Sequence, residues 1–353
     1  MKPFFSIIVP CCDVGPYIRE AMDSVMKQSF CDWECICGIE DSKDRTEEIL
    51  REIAASEPRI RLFTNPRSGS ASVSRNNGID MAQGEYVIFQ DGDDTLIDGS
   101  LQRLYDRIKA RPGADLYPCA IRVKNEMTGK DEDLRDNYPQ DFDRELTGTD
   151  AILFTYGRRL HPEPMMQLTI CRRQFLLEHK LKCIPGLLGQ DREFSLRALY
   201  WAKRVIPLHE PFYLYRRRFG SVLTSTPSEK QLHHQAIIHK SLFAFHASVC
   251  KTPDFDKRLT VCLGRSWTSW IFYLWFSPER VKTTPRTVRL ATLNVLFSNG
   301  FNDLDLLLKG ASFSRRVACW WMRTFIRHPS LRYAAEQFFR WYFFFSSKKF
   351  RNE

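Results

Sequence analysis

Residues 74–94 read SRNNGIDMAQGEYVIFQDGDD. A segment of helical length is broken at Ala82–Gly84, a short apolar run follows, and the run empties into Asp91, Asp93 and Asp94. EYVIFQ has the composition of a buried strand. Three carboxylates at its end repel one another unless something positive sits between them. The stretch therefore predicts a helix, a strand and a polar site in immediate succession.

Working outward, the same alternation fills the first hundred residues. FFSIIVP, WECICGI, RIRLF and EYVIFQ are strand-like. Between them YIREAMDSVMKQS places Ile18, Met22, Val25 and Met26 at helical spacing, and RTEEILREIAAS and ASVSRNNGIDMA also have helical length. Strands alternating with helices predict parallel pairing through right-handed crossovers, with helices on both faces, and near-continuous apolar strands fit that burial. In such sheets ligands gather at the carboxyl ends of the strands. Asp13, then Glu40 and Asp41, then Asn65–Ser70, then Asp91–Asp94 all fall there.

The aspartate cluster admits three readings. One is a solvated turn, since Asp and Gly form turns readily. A calcium loop of the helix-loop-helix type is excluded, because its sixth and twelfth positions hold Leu96 and Gln102 where Gly and Glu are required. The third is a divalent cation bridging the protein to a diphosphate, as Mg²⁺ and Mn²⁺ favour hard oxygen ligands.

Composition narrows the field. The chain has 353 residues, 43% hydrophobic and 27% charged, which excludes disordered and collagen-like classes. A formal charge of +10 invites nucleic acid, anionic lipid or a phosphorylated substrate. No helix-turn-helix, zinc-finger or RNA-binding aromatic motif is present, so nucleic acid is not an expected partner. The eleven cysteines form no disulfide framework or paired C-x-x-C set and read as reduced thiols of a cytosolic protein. Cys35 and Cys37 share a strand face without a second pair to complete a metal site. The opening MKPFFSIIVPCCDV lacks the small-residue cleavage site of a secretion signal. No segment reaches the ~20 continuous apolar residues of a membrane span, so the expectation is a cytoplasmic protein, soluble or peripheral on the membrane's cytoplasmic face.

Three regions are expected: 1–100, 101–226 and 227–353. The second is mixed, with a helix at GSLQRLYDRIKAR, a polar loop across NEMTGKDEDLRDNYPQD, a helix at DREFSLRALYWA and a strand running into a basic loop at PFYLYRRRFGS. The third is helical in pattern. His233, His234 and His239 read as a solvated helix face rather than a metal site. Residues 315–351 carry nine Arg or Lys against one Glu among clustered aromatics. That suits a helical core with solvated arginines or an interfacial helix on anionic lipid.

Taken together, SIIVPCCDVGPYIREAMDSVMKQSF, IEDSKDRT, NPRSGSASVSRNNGIDMAQGEYVIFQDGDD and LLGQDREFSLRA resemble glycosyltransferase family 2 over residues 4–225. The resemblance implies an inverting enzyme of GT-A fold: an α/β nucleotide-diphosphosugar transferase with a mostly parallel, Rossmann-like sheet flanked by helices. It implies a nucleotide-sugar donor, with a lean to UDP, and a glycan or lipid-linked saccharide as acceptor. Pro10–Asp13, Glu40 and Asp41 would face the base, Arg75 the base or phosphates, and Asp91 the ribose. Asp93 would meet a divalent metal, Mn²⁺ or Mg²⁺, with Asp94 as a second metal contact or a turn residue. Asp191 occupies the position of the catalytic base, and Arg216 and Arg218 would meet the leaving diphosphate.

Three departures bear on this. Cys12 and Asp13 replace the usual Tyr-Asn, EDSKD is shortened if Asp41 is the matching acid, and Gln190 replaces the Glu of the usual Glu-Asp pair. A catalytically degenerate fold retained as a binding module is the alternative they suggest, and the intact Asp91, Asp93 and Asp191 oppose it. Asp191 also reads as a helix cap, since Asp-Arg-Glu opens an apolar-periodic run.

Overall fold

The computed structural model describes residues 2–139, 142–157, 165–219, 228–249, 252–260 and 263. The chain divides into two units, Met1–Ser225 and Thr226–Glu353.

The first unit opens with β1 (Phe5–Cys11), α1 (Gly15–Met26), β2 (Trp33–Glu40), α2 (Thr46–Ser56), β3 (Ile60–Asn65), α3 (Ser72–Met81) and β4 (Tyr86–Phe89). β1 pairs in parallel with both β2 and β4, and β2 with β3. β2 is buried along its whole length and β1 at all but Pro10, so apolar side chains on both faces need helices over each. α1 carries Pro16 in its first turn, where the missing N–H costs nothing, and buries Ile18, Ala21, Met22 and Val25. Glu34, a buried acid of β2, accepts from Ser6 Oγ at 2.6 Å, Gln83 N at 2.6 Å and Arg61 Nη1 at 2.9 Å.

The chain continues through β5 (Thr95–Leu96), α4 (Ser100–Ala110), β6 (Leu116–Pro118), β7 (Ala120–Asn125), β8 (Lys130–Arg135), α5 (Gly148–Gly157), β9 (Thr169–Arg172), α6 (Arg173–Glu178), α7 (Asp191–Trp201) and β10 (Pro211–Arg217). β9 and β6 extend the first sheet antiparallel, giving the order β3-β2-β1-β4-β9-β6. A second sheet has the order β5-β10-β7-β8. The expected parallel half and the helices after residues 100 and 190 are all present. The segment read as a polar loop contains β8, which pairs antiparallel with β7. Its sequence KDEDLR has no apolar alternation to betray it, because its pairing is made by the backbone at a sheet edge.

Two close approaches set the site. Gly78 lies in α3 where the helix packs on β1, and a Cβ there would fall inside the methyl group of Ile8. At Gly92 a Cβ would stand 3.1 Å from Val14 Cγ2 and 3.3 Å from the Pro10 carbonyl, so the loop after β4 presses on the loop after β1. The two sheets are joined by Asp94, which is 1% exposed. Tyr213 Oη donates to Asp94 Oδ2 at 2.6 Å, and Arg216 N donates to Asp94 Oδ1 at 2.6 Å. The same Tyr213 oxygen accepts from Asp91 N at 2.9 Å. Burial and the carboxylates of Asp93 and Asp91 push Asp94 well above the usual carboxylate range.

In the second unit, α8 (Glu229–Val249) buries His234 and His239 alongside Ala236, Ile238 and Leu242, which corrects the solvated-face reading. His234, Ile238 and Leu242 follow at intervals of four, so they share one helix face. His239 Nδ1 bonds the Gln235 carbonyl at 2.7 Å. The basic aromatic stretch 315–351 lies outside the described residues.

Two stability outcomes follow from this packing. Gly78→Ala should destabilise by about 1–3 kcal/mol through overpacking against Ile8, measured by urea denaturation. Tyr213→Phe should cost about 1–3 kcal/mol, since it leaves a buried carboxylate and an amide without their partner, read the same way.

Candidate active site

The carboxyl ends of β1, β2 and β4 lie on one edge of the first sheet, because the three strands run parallel. α7 brings Asp191, β10 brings Arg216, and Arg218 stands just past the end of β10.

At the centre is Arg75 on α3, 3% exposed. Its Nη2 donates to Asp91 Oδ1 at 2.7 Å and its Nη1 to Asp191 Oδ1 at 2.8 Å. Burial opposes the guanidinium's charge, and the carboxylates of Asp191 and Asp91 outweigh it and hold Arg75 above the ordinary arginine value. Gln167, in a 3-10 turn at Met166–Leu168, donates from Nε2 to Asp91 Oδ2 at 2.6 Å. With its carbonyl oxygen turned toward Arg75, Gln190 accepts from Nη1 at 2.7 Å and donates to the Leu187 carbonyl at 2.6 Å. Asp91 and Asp191 keep 30% and 25% of their side-chain surface exposed, so each retains a face toward the cleft. The expectation put Arg75 at the base or phosphates, but the structure encloses it between two acids.

Asp93 faces Arg218, whose Nε and Nη2 donate to its Oδ2 at 3.0 and 2.8 Å. Burial, then the Asp91 charge, raises Asp93 above the usual carboxylate value, and Arg218 works against them. The Arg218 guanidinium also lies over the Tyr17 ring, 4.6 Å from its centre. Arg216 is differently placed from the expectation. It is buried, with Nη2 on Glu20 Oε2 at 2.6 Å, Nη1 on Glu126 and Nε on the Asp93 carbonyl at 2.9 Å, so its donors are committed to the wall of the site. Asp94, the second expected metal contact, is likewise committed, to Tyr213 and the Arg216 backbone.

On the β1–β2 side, Glu40 is buried and accepts from Ser68 N at 2.9 Å and Ser68 Oγ at 2.6 Å. Asp13, at φ +52°, accepts from Lys43 N at 2.7 Å and from Arg67. Hydrogen bonding by Arg67 and then by the Lys43 amide holds its carboxyl below the usual range. Arg67 also donates to the Asp41 carbonyl at 2.9 Å; Asp41 is exposed, and Pro10 and Cys12 are part-buried. Three of these contributors escaped the sequence reading. Arg67 lies within the polar run Asn65–Ser70, and Tyr213 alternates with Tyr215 in the strand before the arginines. Gln167 carries no motif.

Residues 6–161 match the family model for glycosyl transferase family 2. The chain is 28% identical over 272 residues to the uncharacterized glycosyltransferase EpsJ of Bacillus subtilis, an alignment covering 74% of this chain and 76% of that one. It is 33% identical over 133 residues, 36% of this chain and 43% of the relative, to the GalNAc(5)-diNAcBac-PP-undecaprenol beta-1,3-glucosyltransferase of Campylobacter jejuni. Among solved structures it resembles Staphylococcus aureus TarS 1–349 in complex with UDP-GlcNAc, with a TM-score of 0.67 at 17% identity over 92% of this chain and 88% of that one. Residues 6–161 thus carry a glycosyltransferase family 2 domain, and the chain is a glycosyltransferase built on the GT-A fold.

Proposed function

We propose that the chain moves a sugar from a UDP-sugar to a hydroxyl of a glycan or lipid-linked saccharide, with inversion at the anomeric carbon, in the biosynthesis of a cell-surface polysaccharide. The observation that carries this is the Asp91–Arg75–Asp191 bridge at the carboxyl edge of the sheet. It sets a donor-side and an acceptor-side carboxylate into one cleft. The UDP-GlcNAc bound by the S. aureus relative and the lipid-linked substrate in the C. jejuni relative's name support the choice of donor and acceptor classes.

The acceptor oxygen attacks the anomeric carbon from the face opposite the departing diphosphate, so its proton must leave as the bond forms. Asp191 takes that proton, and a positioned base of this kind contributes about 10²- to 10⁴-fold. Its place in the first turn of α7 suits a carboxylate, since the N-terminal dipole favours negative charge. Pro10, Asp13, Glu40 and Asp41 line the base side, and Asp91 meets the ribose. Arg218 neutralises charge growing on the diphosphate, while Arg216 and Asp94 hold the wall.

Among the described residues no group of three or more His, Cys, Asp or Glu is arranged to hold a metal. What fits is an ion held through the single carboxylate of Asp93 and completed by phosphate oxygens, the usual manner of Mg²⁺. Such a cation, Mn²⁺ or Mg²⁺, supplies Lewis-acid stabilisation of the leaving diphosphate when bound.

No helix among the described residues is long and apolar enough to cross a membrane. Contact with an anionic cytoplasmic membrane face through residues 315–351 belongs to the same reading, and rests on their cations and aromatics.

A panel of nucleotide sugars, with and without Mn²⁺, tests the reading through thermal protection, because a ligand of the native state raises apparent stability. A UDP-sugar should raise Tm, and a flat response across the panel would overturn the proposal. Asp191→Asn should keep that protection while transfer falls by about 10²-fold or more. Asp93→Ala should lose the Mn²⁺-dependent part of the protection together with turnover. A wild type equally active in EDTA would remove the metal role.

A further inference from the structure

Arg75 touches the two carboxylates that the proposed reaction assigns to donor and acceptor, and its fork is divided between them, Nη2 to Asp91 and Nη1 to Asp191. We propose that Arg75 is a positioning residue: it fixes the orientation of the Asp191 carboxylate and ties it to that of Asp91, without contacting the donor. The inference rests on the reading of Asp191 as the base.

Four observations carry it. The guanidinium is enclosed, so it has almost no surface to offer a phosphate. Its Nε is buried without a hydrogen-bond partner, an unfavourable arrangement that marks the two carboxylates as what fixes its place. Asp91 cannot drift away from it, because Gln167 grips Oδ2 and Tyr213 Oη accepts from the backbone amide. Lastly, Arg75 stands one turn before Gly78, where α3 meets Ile8 of β1 without room for a Cβ, so the backbone that carries it is seated on the sheet.

The chemistry needs such a device. A carboxylate acting as base must be ionised and must present a fixed oxygen to the acceptor hydroxyl. An adjacent cation favours the ionised form. A planar guanidinium bonding two acids through separate nitrogens also fixes direction, which an ammonium on a flexible stem does not. Gln190 supplies a neutral acceptor to Nη1, so the positive charge is shared by two acids rather than three.

Arg75→Lys is the first test, with folding checked by circular dichroism, UDP-sugar affinity by calorimetry, and kcat, acceptor KM and the pH profile by transfer assay. The proposal expects donor Kd and acceptor KM within about threefold of wild type and kcat lower by about 10²-fold, the scale of a ~1 Å misplacement. The acid limb of kcat/KM should move to higher pH as the fixed guanidinium is lost. Donor affinity falling in step with activity would make Arg75 a donor ligand, and wild-type kcat with an unmoved acid limb would remove any positioning role. Either result overturns the proposal.

If Arg75→Lys does not fold, Gln190→Glu takes its place. A second anion on Nη1 should raise the acid limb with donor Kd unchanged, and an unmoved limb overturns the proposal. Asp191→Asn run alongside separates the readings. Transfer retained there defeats the base assignment itself, whereas inactivity there beside a fully active Arg75→Lys defeats only the role of Arg75.

Discussion

A permanent cation inside a protein is tolerated only against paired anions, and Arg75 is such a cation. Its two anions come from places far apart in the chain: Asp91 follows β4, while Asp191 opens α7, 116 residues away in sequence from the arginine it meets. Satisfying one guanidinium therefore brings the loop after β4 and the first turn of α7 to the same spot. The close seat of α3 on β1 at Gly78 and the grip of Gln167 on Asp91 both serve that meeting.

The crowding of Asp91, Asp93 and Asp94 is resolved by giving each a different partner. Asp91 takes Arg75 and Gln167, Asp93 takes Arg218, and Asp94 takes Tyr213 with the Arg216 amide. Those partners belong to α3, to a short 3-10 turn, and to β10 with the residues just beyond it, so mutual repulsion becomes a means of attaching elements to one another. Asp94 gives up solvent to join the two sheets. Asp91 and Asp93 stay part-exposed and can meet a ligand.

Much of the fold was legible because local pattern determines it. The buried strands β1, β2 and β4 and the stripe Ile18–Met22–Val25 follow from period alone. β8 was not legible, since six residues with one Leu carry no alternation and edge pairing asks for none. His234 and His239 were misjudged because a polar side chain on an apolar face is invisible until the face is known. In the site, the residue types and the sheet edge could be read, but not the division of labour. Three aspartates in a row look equivalent until burial separates Asp94 from the other two. Arg75 and Arg216 look like phosphate ligands until their partners are seen. Gln167 has no sequence signal at all, because its role comes from where a turn happens to place it.

β8 has a consequence beyond the site. Among the described strands it ends the second sheet, and a strand at a sheet's end is a template on which another molecule can add its own. Toward β7 the strand is held by its antiparallel backbone pairing. Toward a second copy its sequence works the other way. Laid in register on itself, parallel or antiparallel, KDEDLR sets Lys or Arg against Lys or Arg and acid against acid, and like charges directly opposed are unfavourable. The strand accepts its partner within the fold and discourages its own duplicate, which guards the enzyme against edge-to-edge aggregation.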